Sequence, residues 1–95
     1  MEITKYEILL SNEFEKNYHR FTRKNKELKI RIDKTLHQLL SDPFYIGLRT
    51  HKAEIEKFGY KYSSRVTGDI RIIWDFIDSK PIILAITILG HEVYK

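Results

Sequence analysis

Hydrophobic and polar residues alternate along two segments on either side of residues 67–69, and this alternation predicts a β-hairpin. The apolar rows are largely aromatic or β-branched, as is typical of strands. They consist of Tyr60, Tyr62, Ser64 and Val66 in the first segment and Ile70, Ile72, Trp74 and Phe76 in the second. A three-residue loop over 67–69 brings both rows to one face, whereas a two-residue turn at Gly68-Asp69 would put them on opposite faces. We therefore predict the three-residue loop.

The same register places two arginines next to each other. Arg65 falls directly opposite Arg71 on the polar face, and Lys61 falls opposite Asp75. Like charges directly opposite each other destabilise a sheet. Guanidinium groups match the geometry of phosphate, so the pair favours a phosphate-containing ligand. The alternative is that both arginines are solvated charges on an exposed sheet face.

The remaining periodicities predict two helices between a first strand and a last one. Residues 6–10 are expected as a strand and residues 13–23 and 26–40 as amphipathic helices. Residues 81–89 are apolar on both faces, which predicts a strand inside the sheet. The order is β-α-α-β-β-β, a single α+β domain over residues 1–95 with a helical hairpin packed on a mainly antiparallel, twisted sheet.

Local signals set the ends of these elements. Ser11 and Asn12 both offer N-caps for the first helix, and Asn12 precedes Glu15 by three residues, the spacing of a capping pair. Residues 48–52 fit a short strand or the approach to one. Residues 53–58 are predicted to form a polar loop.

Composition limits the classes of function. The 95 residues include 17 Lys and Arg against 13 Asp and Glu, and the net charge of +4 favours polyanionic partners such as nucleic acid or an acidic protein segment. The absence of cysteine excludes disulfides, a thiolate nucleophile and a cysteine-ligated zinc site. Because the chain has neither a bilayer-spanning apolar run nor a signal-peptide start, we expect no membrane association and a cytoplasmic location.

Two residues beyond the last predicted strand add groups for proton transfer. His91 and Tyr94 follow Gly90, and they approach Arg65 and Arg71 if that strand neighbours the second strand of the hairpin. Such groups can cleave RNA without a metal, because a ribose 2′-hydroxyl attacks the adjacent phosphate, cations stabilise the charge on its oxygens and an acid protonates the leaving 5′-oxygen. Histidine titrates closer to neutral pH than tyrosine. His91 is therefore the preferred proton carrier, and Tyr94 is expected to stack on a base or donate a proton.

These two residues also have structural alternatives. His91 fits a loop histidine, and Tyr94 fits a residue packed on the edge of the sheet. Together with His51 and a nearby glutamate, His91 does not show the spacing of a metal site. We therefore predict no metal and no cofactor.

The run Tyr-Ser-Ser-Arg-Val-Thr-Gly-Asp-Ile-Arg-Ile-Ile-Trp at 62–74, an apolar strand, and Gly-His-Glu-Val-Tyr at 90–94 together resemble the RelE/ParE superfamily of toxins from type II toxin–antitoxin systems. The RelE-like and YoeB-like mRNA interferases are the most similar members. The resemblance extends over nearly the whole chain, because its length and its β-α-α start also suit that fold. It implies a ribosome-dependent endoribonuclease that cuts mRNA in the ribosomal A site to a 2′,3′-cyclic phosphate and is neutralised by a cognate antitoxin.

The resemblance also implies roles for individual residues. Arg65 and Arg71 match the hairpin arginines that bind the scissile phosphate. His91 matches the catalytic histidine of some members, and Tyr94 matches their C-terminal aromatic residue. The implied RNA-contacting residues are Lys61, Arg49, His51 and Lys52.

Two departures from the family leave the proton-transfer assignment open. Some members use a glutamate ahead of the hairpin as base, and neither Glu54 nor Glu56 is singled out as its counterpart; the C-terminal segment also lacks the further arginine common in RelE. Two rival functions stay open as well. A ParE-like toxin would inhibit DNA gyrase by binding alone, and a non-catalytic member would bind only an antitoxin or nucleic acid; a shared fold does not decide between them.

Overall fold

The computed structural model describes residues 5–90, which form two helices packed on a five-stranded mixed sheet. The elements in chain order are β1 (Glu7–Leu10), α1 (Asn12–Thr22), α2 (Lys26–Ser41), a 3₁₀ turn (Ile46–Leu48), β2 (His51–Ile55), β3 (Gly59–Arg65), β4 (Arg71–Phe76) and β5 (Ile82–Leu89). The sheet order is β1-β5-β4-β3-β2, with β1 parallel to β5 and the other pairs antiparallel. The predicted α+β class and mainly antiparallel sheet are confirmed. Within the described range, no helix has the length and apolar character needed to cross a bilayer.

The predicted hairpin is formed by β3 and β4 in the predicted register. Tyr62 pairs with Trp74, and Arg65 pairs with Arg71. The aromatic pair is stacked, with ring centroids 4.7 Å apart. Both apolar rows therefore lie on one face of the sheet, as the alternation requires.

The loop between β3 and β4 is closed by backbone hydrogen bonds and by one hydroxyl. The N–H groups of Val66 and Thr67 donate to the Ile70 carbonyl at 2.8 and 3.2 Å. Thr67 Oγ1 accepts hydrogen bonds from the N–H groups of Asp69 and Ile70 at 3.2 and 3.1 Å. The hydroxyl thus holds the turn as Ser and Thr side chains commonly do. The three-residue loop is confirmed, and it forms without a positive φ at Gly68.

The prediction of a polar loop over 53–58 is wrong for its first half, because β2 extends to Ile55 and adds a fifth strand. β2 is the edge strand of the sheet and pairs only with β3. A tight turn joins the two strands: the Phe58 N–H donates to the Ile55 carbonyl at 2.9 Å, and Gly59 has φ 78°. An edge strand tolerates charged residues. The polar composition of this segment therefore concealed the strand.

Ser11 is the N-cap of α1, so the predicted capping pair of Asn12 and Glu15 is wrong. Ser11 Oγ accepts a hydrogen bond from the Phe14 N–H at 2.9 Å and donates one to the Ile86 carbonyl at 2.5 Å. Asn12 is already the first helical residue. Because Ile86 belongs to β5, the cap also fixes the start of α1 to the sheet.

Helix α1 covers the part of the β5 edge that β1 leaves free. β1 pairs with β5 only as far as Leu10 opposite Ala85. Beyond that point Asn17 Nδ2 donates to Thr87 Oγ1 at 2.8 Å and to the Ile88 carbonyl at 3.3 Å. The helix therefore takes over from a strand along this edge and satisfies an exposed carbonyl.

The hydrophobic core lies between the two helices and one face of the sheet. In α2, Leu39 is fully buried and Leu40 only partly. The other buried core residues are Phe14, Phe21, Ile32, Leu48, Ile72, Trp74, Ile83, Ala85 and Ile88. Within residues 5–90, no helix packs on the opposite face of β2, β3 and β4.

A chain of hydrogen bonds links the core indole to the loop before β2. Trp74 Nε1 donates to Ser64 Oγ at 2.8 Å, and Ser64 Oγ lies 2.7 Å from Thr50 Oγ1. Thr50 Oγ1 donates its own proton to the Pro43 carbonyl at 2.7 Å. Ser64 is therefore the donor to Thr50, and every group in the buried chain is satisfied.

Candidate functional site

The two arginines lie next to each other on the sheet face that the helices leave open. Arg65 and Arg71 pair directly, and Ile72, the next residue along β4, faces the core. Because the pair beside it at the loop is hydrogen-bonded, the arginine pair occupies a non-hydrogen-bonded position, where Cα atoms are about 4.5 Å apart and side chains approach most closely. The predicted shared face is confirmed.

Neither guanidinium is neutralised by the described part of the chain. Lys61 lies on the same face, but its Nζ is 3.3 Å from Asp75 Oδ2 in an ion pair. Within residues 5–90, Arg65 and Arg71 make no such pair. Two positive charges about 6 Å apart repel by roughly 0.7 kcal/mol in water and about 3 kcal/mol at an effective dielectric constant near 20. A hairpin tolerates a repulsion of this size. A bound dianion would offset it, because both guanidinium groups would be attracted to the anion.

The end of β5 lies beside the arginine pair, as predicted. Leu89 pairs with Arg71. Gly90 follows in a close contact with α1, since a Cβ on it would lie 2.9 Å from two atoms of the Phe21 ring. The chain therefore leaves β5 beside the hairpin, and the C-terminal segment begins at that point.

The two remaining predicted catalytic residues, His91 and Tyr94, lie outside the described residues, and their roles stay predictions. Residues 5–90 contain no group of three or more side chains suited to holding a metal ion.

A hollow of about 670 Å³ opens beside Arg71 on the same face. Its floor is formed by small and apolar residues of four strands, namely Ala53, Ser63, Ile73 and Leu89. Glu13 of α1 borders it on the side of β5, and residues 55–58 border it on the side of β2. The volume is within the range of ligand-binding pockets. The arginine pair and a pocket thus adjoin on one surface.

No model of a protein family and no curated protein matches this sequence. Solved structures do match. A YoeB/ParE toxin from Agrobacterium tumefaciens aligns with a TM-score of 0.74 at 14% identity over 90% of this chain and 98% of its own. The YoeB–YefM complex from Staphylococcus aureus gives 0.70 at 20% identity, covering 90% and 97%, and the archaeal RelE–RelB complex from Pyrococcus horikoshii gives 0.70 at 17%, covering 90% and 94%. The chain has the RelE-like toxin fold.

Within this RelE-like fold, the predicted RNA-contacting residues do not all share one surface. His51 pairs with Ser63 and borders the hollow, so it lies on the arginine face. Lys52 is turned to the other face, where its Nζ lies 5.3 Å from the centroid of the Tyr62 ring. Arg49 lies before β2 with a left-handed backbone (φ 50°). The structure therefore brings His51 to the site and separates Lys52 from it.

The position of His51 is fixed by a backbone carbonyl. His51 Nδ1 lies 3.0 Å from the Arg49 carbonyl oxygen. A carbonyl only accepts hydrogen bonds, so this contact requires the proton on Nδ1 and leaves the Nε2 lone pair of the neutral ring free. The contact joins an exposed side chain to a carbonyl two residues away, and it favours the Nδ1–H tautomer of the neutral ring.

Ser63 is a further candidate site residue, because the alternation along β3 puts it on the arginine face between Lys61 and Arg65. Its side chain is only 2% exposed, and its Oγ has no hydrogen-bond partner among the described residues. The available signal was a small hydroxyl residue between Lys61 and Arg65 on a polar face. Its burial was not visible locally, because it depends on the neighbouring strands β2 and β4.

The resolved pKa shifts belong to the helices and not to the hollow. Burial and a 2.6 Å hydrogen bond to Asp33 raise the pKa of Tyr18. Burial acts to raise the pKa of Asp33, but hydrogen bonds from Tyr18 and Lys29 outweigh it, and the pKa is lowered. The hydrogen bond to Asp33 raises the pKa of Lys29. This network joins α1 to α2 and is structural.

Proposed function

We propose that the chain is the toxin of a type II toxin–antitoxin system and cleaves mRNA in the ribosomal A site. The observation that carries the proposal is the directly opposed pair Arg65 and Arg71, unneutralised within residues 5–90, on the open face of a RelE-like sheet. Guanidinium pairs bind phosphate in two-pronged geometry and stabilise charge that develops on its oxygens. The reaction is phosphodiester cleavage by the neighbouring 2′-hydroxyl.

In the proposed reaction the ribose 2′-oxygen forms a bond to phosphorus and the bond from phosphorus to the 5′-oxygen breaks. The products are a 2′,3′-cyclic phosphate and a free 5′-hydroxyl. Arg65 and Arg71 hold the phosphate oxygens and stabilise the additional charge of the transition state. One group takes the 2′-hydroxyl proton, and another delivers a proton to the 5′-oxygen.

His51 and His91 are the proposed proton carriers. His51 borders the hollow with Nε2 free to accept a proton, because Nδ1 is engaged by a backbone carbonyl. His91 follows Gly90, beyond the strand residue that pairs with Arg71. Tyr94 is proposed to contact the RNA base or to donate a proton.

The proposed partners are an antitoxin, mRNA and the ribosome. The similar RelE and YoeB structures were solved as complexes with RelB and YefM. A carboxylate-bearing segment of an antitoxin would complement the arginine pair and shield the phosphate site. A neighbouring reading frame that encodes a short protein with an acidic amphipathic segment supports this assignment. We place the activity in the cytoplasm, where mRNA is translated.

The test is a reconstituted translation reaction in which the 5′ ends of cut mRNA are mapped. Wild type is expected to cut within the A-site codon and leave 5′-hydroxyl ends. Arg71→Ala is expected to lower the cleavage rate by about 10²–10³-fold, the effect of removing one donor that stabilises transition-state charge. Arg31→Ala, which removes an exposed arginine of α2, is the matched control and should cut like wild type.

Two further arms separate the alternatives. His51→Ala and His91→Ala are compared at equal folded fraction, and the variant with the larger loss identifies the main proton carrier. Uncut mRNA together with inhibition of DNA supercoiling by gyrase would replace the ribonuclease with the ParE-like function. Binding to an antitoxin without either activity would leave a non-catalytic member.

A further inference from the structure

Ser63 carries a buried hydroxyl whose place in the fold gives it no partner. Its Oγ is inaccessible to bulk solvent and has no hydrogen-bond partner among residues 5–90. Buried polar groups without a partner are rare in native proteins, because each costs stability. Ser63 lines the hollow beside Arg71. The Oγ is covered in the absence of ligand, so a ligand that bonds it must displace the side chains around it slightly, and it would then give this hydroxyl its missing hydrogen bond.

The other residues of the floor indicate the shape and polarity of a ligand that would fit the hollow. Ala53, Ile73 and Leu89 form an apolar surface around the single hydroxyl. A flat group with apolar faces and a polar edge suits such a floor better than a phosphate or a sugar does, because burying charge against apolar side chains is costly. Among the parts of RNA, the nucleobase has this character.

The charges around the hollow orient the nucleotide. Arg71 stands at the end nearest the hairpin loop, where the phosphate belongs, and Glu13 and Glu56 border the hollow with Lys57. Glu54 also borders the hollow as part of β2. Its side chain points to the other face of the sheet, because Glu54 pairs with Tyr60. Carboxylates only accept hydrogen bonds. They therefore favour a base edge rich in donors: cytosine, adenine and guanine present an amino group, whereas uracil presents only its ring N3–H between two carbonyl acceptors.

We propose that the hollow is a base-binding subsite for the nucleotide whose phosphate is held by Arg65 and Arg71, with Ser63 Oγ bonding the base edge. The subsite disfavours uracil. The proposal rests on the proposed function, since it places RNA on this face, and it adds which part of the RNA enters the pocket and which residue recognises it. Ser63 is thus the residue that contacts the base, and the bordering carboxylates set the preference among bases.

The direct test uses ligands that the enzyme cannot cut. The four nucleoside 3′-monophosphates and inorganic phosphate are titrated into the full-length chain, and backbone amide shifts are followed by NMR. Nucleotides are expected to shift the amides of Ile73 and Leu89, whereas inorganic phosphate shifts only those near the arginine pair. The cytidine, adenosine and guanosine nucleotides are expected to bind at least about 3-fold more tightly than the uridine nucleotide, the order of one hydrogen bond.

Three variants separate the base from the phosphate. Ser63→Ala removes the hydroxyl and should weaken nucleotide binding about 3–10-fold. Ser63→Val also fills the space and should weaken it further, and valine is well suited to a strand, so the fold is retained. Both should bind inorganic phosphate within about twofold of wild type, whereas Arg71→Ala should lose it.

The outcomes distinguish this subsite from the ribonuclease assignment. Nucleotide binding in the hollow by a chain that leaves translated mRNA uncut would retain the subsite and overturn the nuclease. Cleavage of mRNA with unchanged nucleotide affinity in Ser63→Val would retain the nuclease and overturn the subsite. Equal affinity for all four bases would overturn the role of the carboxylates. In the cleavage assay, Ser63→Val should change which codons are cut.

Discussion

The adjacent serines Ser63 and Ser64 are both buried, yet we expect their alanine variants to differ in sign. Ser64 Oγ accepts the Trp74 Nε1 hydrogen bond at 2.8 Å and contacts Thr50 Oγ1 at 2.7 Å, so Ser64→Ala leaves a buried indole N–H unpaired. That loss costs about 1–3 kcal/mol. Ser63 Oγ has no partner in the described structure, so Ser63→Ala removes an unsatisfied group. Its expected effect lies between zero and a stabilisation of about 1 kcal/mol.

The assay is guanidinium and thermal unfolding of both variants beside wild type, followed by far-UV circular dichroism. Circular dichroism is preferred because the chain has one tryptophan, and Ser64→Ala changes its surroundings directly. For a domain of this size, 1 kcal/mol corresponds to about 4–8 °C in Tm. Ser64→Ala should therefore lower Tm by about 4–24 °C, and Ser63→Ala should leave it unchanged or raise it by up to about 8 °C.

Each serine has its own refuting result. A loss of stability in Ser63→Ala as large as in Ser64→Ala would show that Ser63 Oγ is already hydrogen-bonded in the folded protein. The hydroxyl would then not be available to a ligand, and its role in the subsite would be refuted. Wild-type stability in Ser64→Ala would show that the indole N–H does not depend on this acceptor. Stabilisation combined with weaker nucleotide binding in Ser63→Ala is the signature of a residue retained for function.

Two further effects on stability follow from the helices. The lowered pKa of Asp33 stabilises the fold above the unfolded-state pKa near 3.9, and this contribution is lost as pH falls through the folded-state value. The Tm difference between wild type and Asp33→Asn should therefore shrink as the pH is lowered below about 4, and a constant difference would contradict this account. Gly90→Ala places a Cβ 2.9 Å from the Phe21 ring and should cost about 1–3 kcal/mol in chemical unfolding. Gly68→Ala, whose Cβ would meet only Arg65 at 3.9 Å, is its matched control and should be nearly neutral.

Much of the fold was predictable because it follows from local periodicity. The alternation on both sides of residues 67–69 allowed one register that aligns the apolar rows, and that register alone opposed Arg65 to Arg71. Helix positions followed from apolar stripes, with ends within one residue of those observed. The fully apolar segment before Gly90 required a place inside the sheet, and β5 occupies it between β1 and β4.

The wrong predictions concern residues for which two local structures were possible. In each case, contacts with distant parts of the chain determined which structure formed. Ser11 rather than Asn12 caps α1, because only Ser11 also reaches the Ile86 carbonyl in β5. β2 is a strand because β3 offers it hydrogen bonds, although its own sequence is polar. Pairing also decided the face of each residue in β2, which turned His51 toward the site and Lys52 away from it.

The α+β class, the hairpin and the opposed arginines follow from the local sequence, because side-chain period and turn length act between residues close in the chain. The pocket beside the arginines, and the burial in it of Ser63 without a partner among residues 5–90, arise only when distant segments pack together. That pocket is made by four strands and by the start of α1. Its volume and polarity depend on how distant segments pack, which local periodicity does not encode.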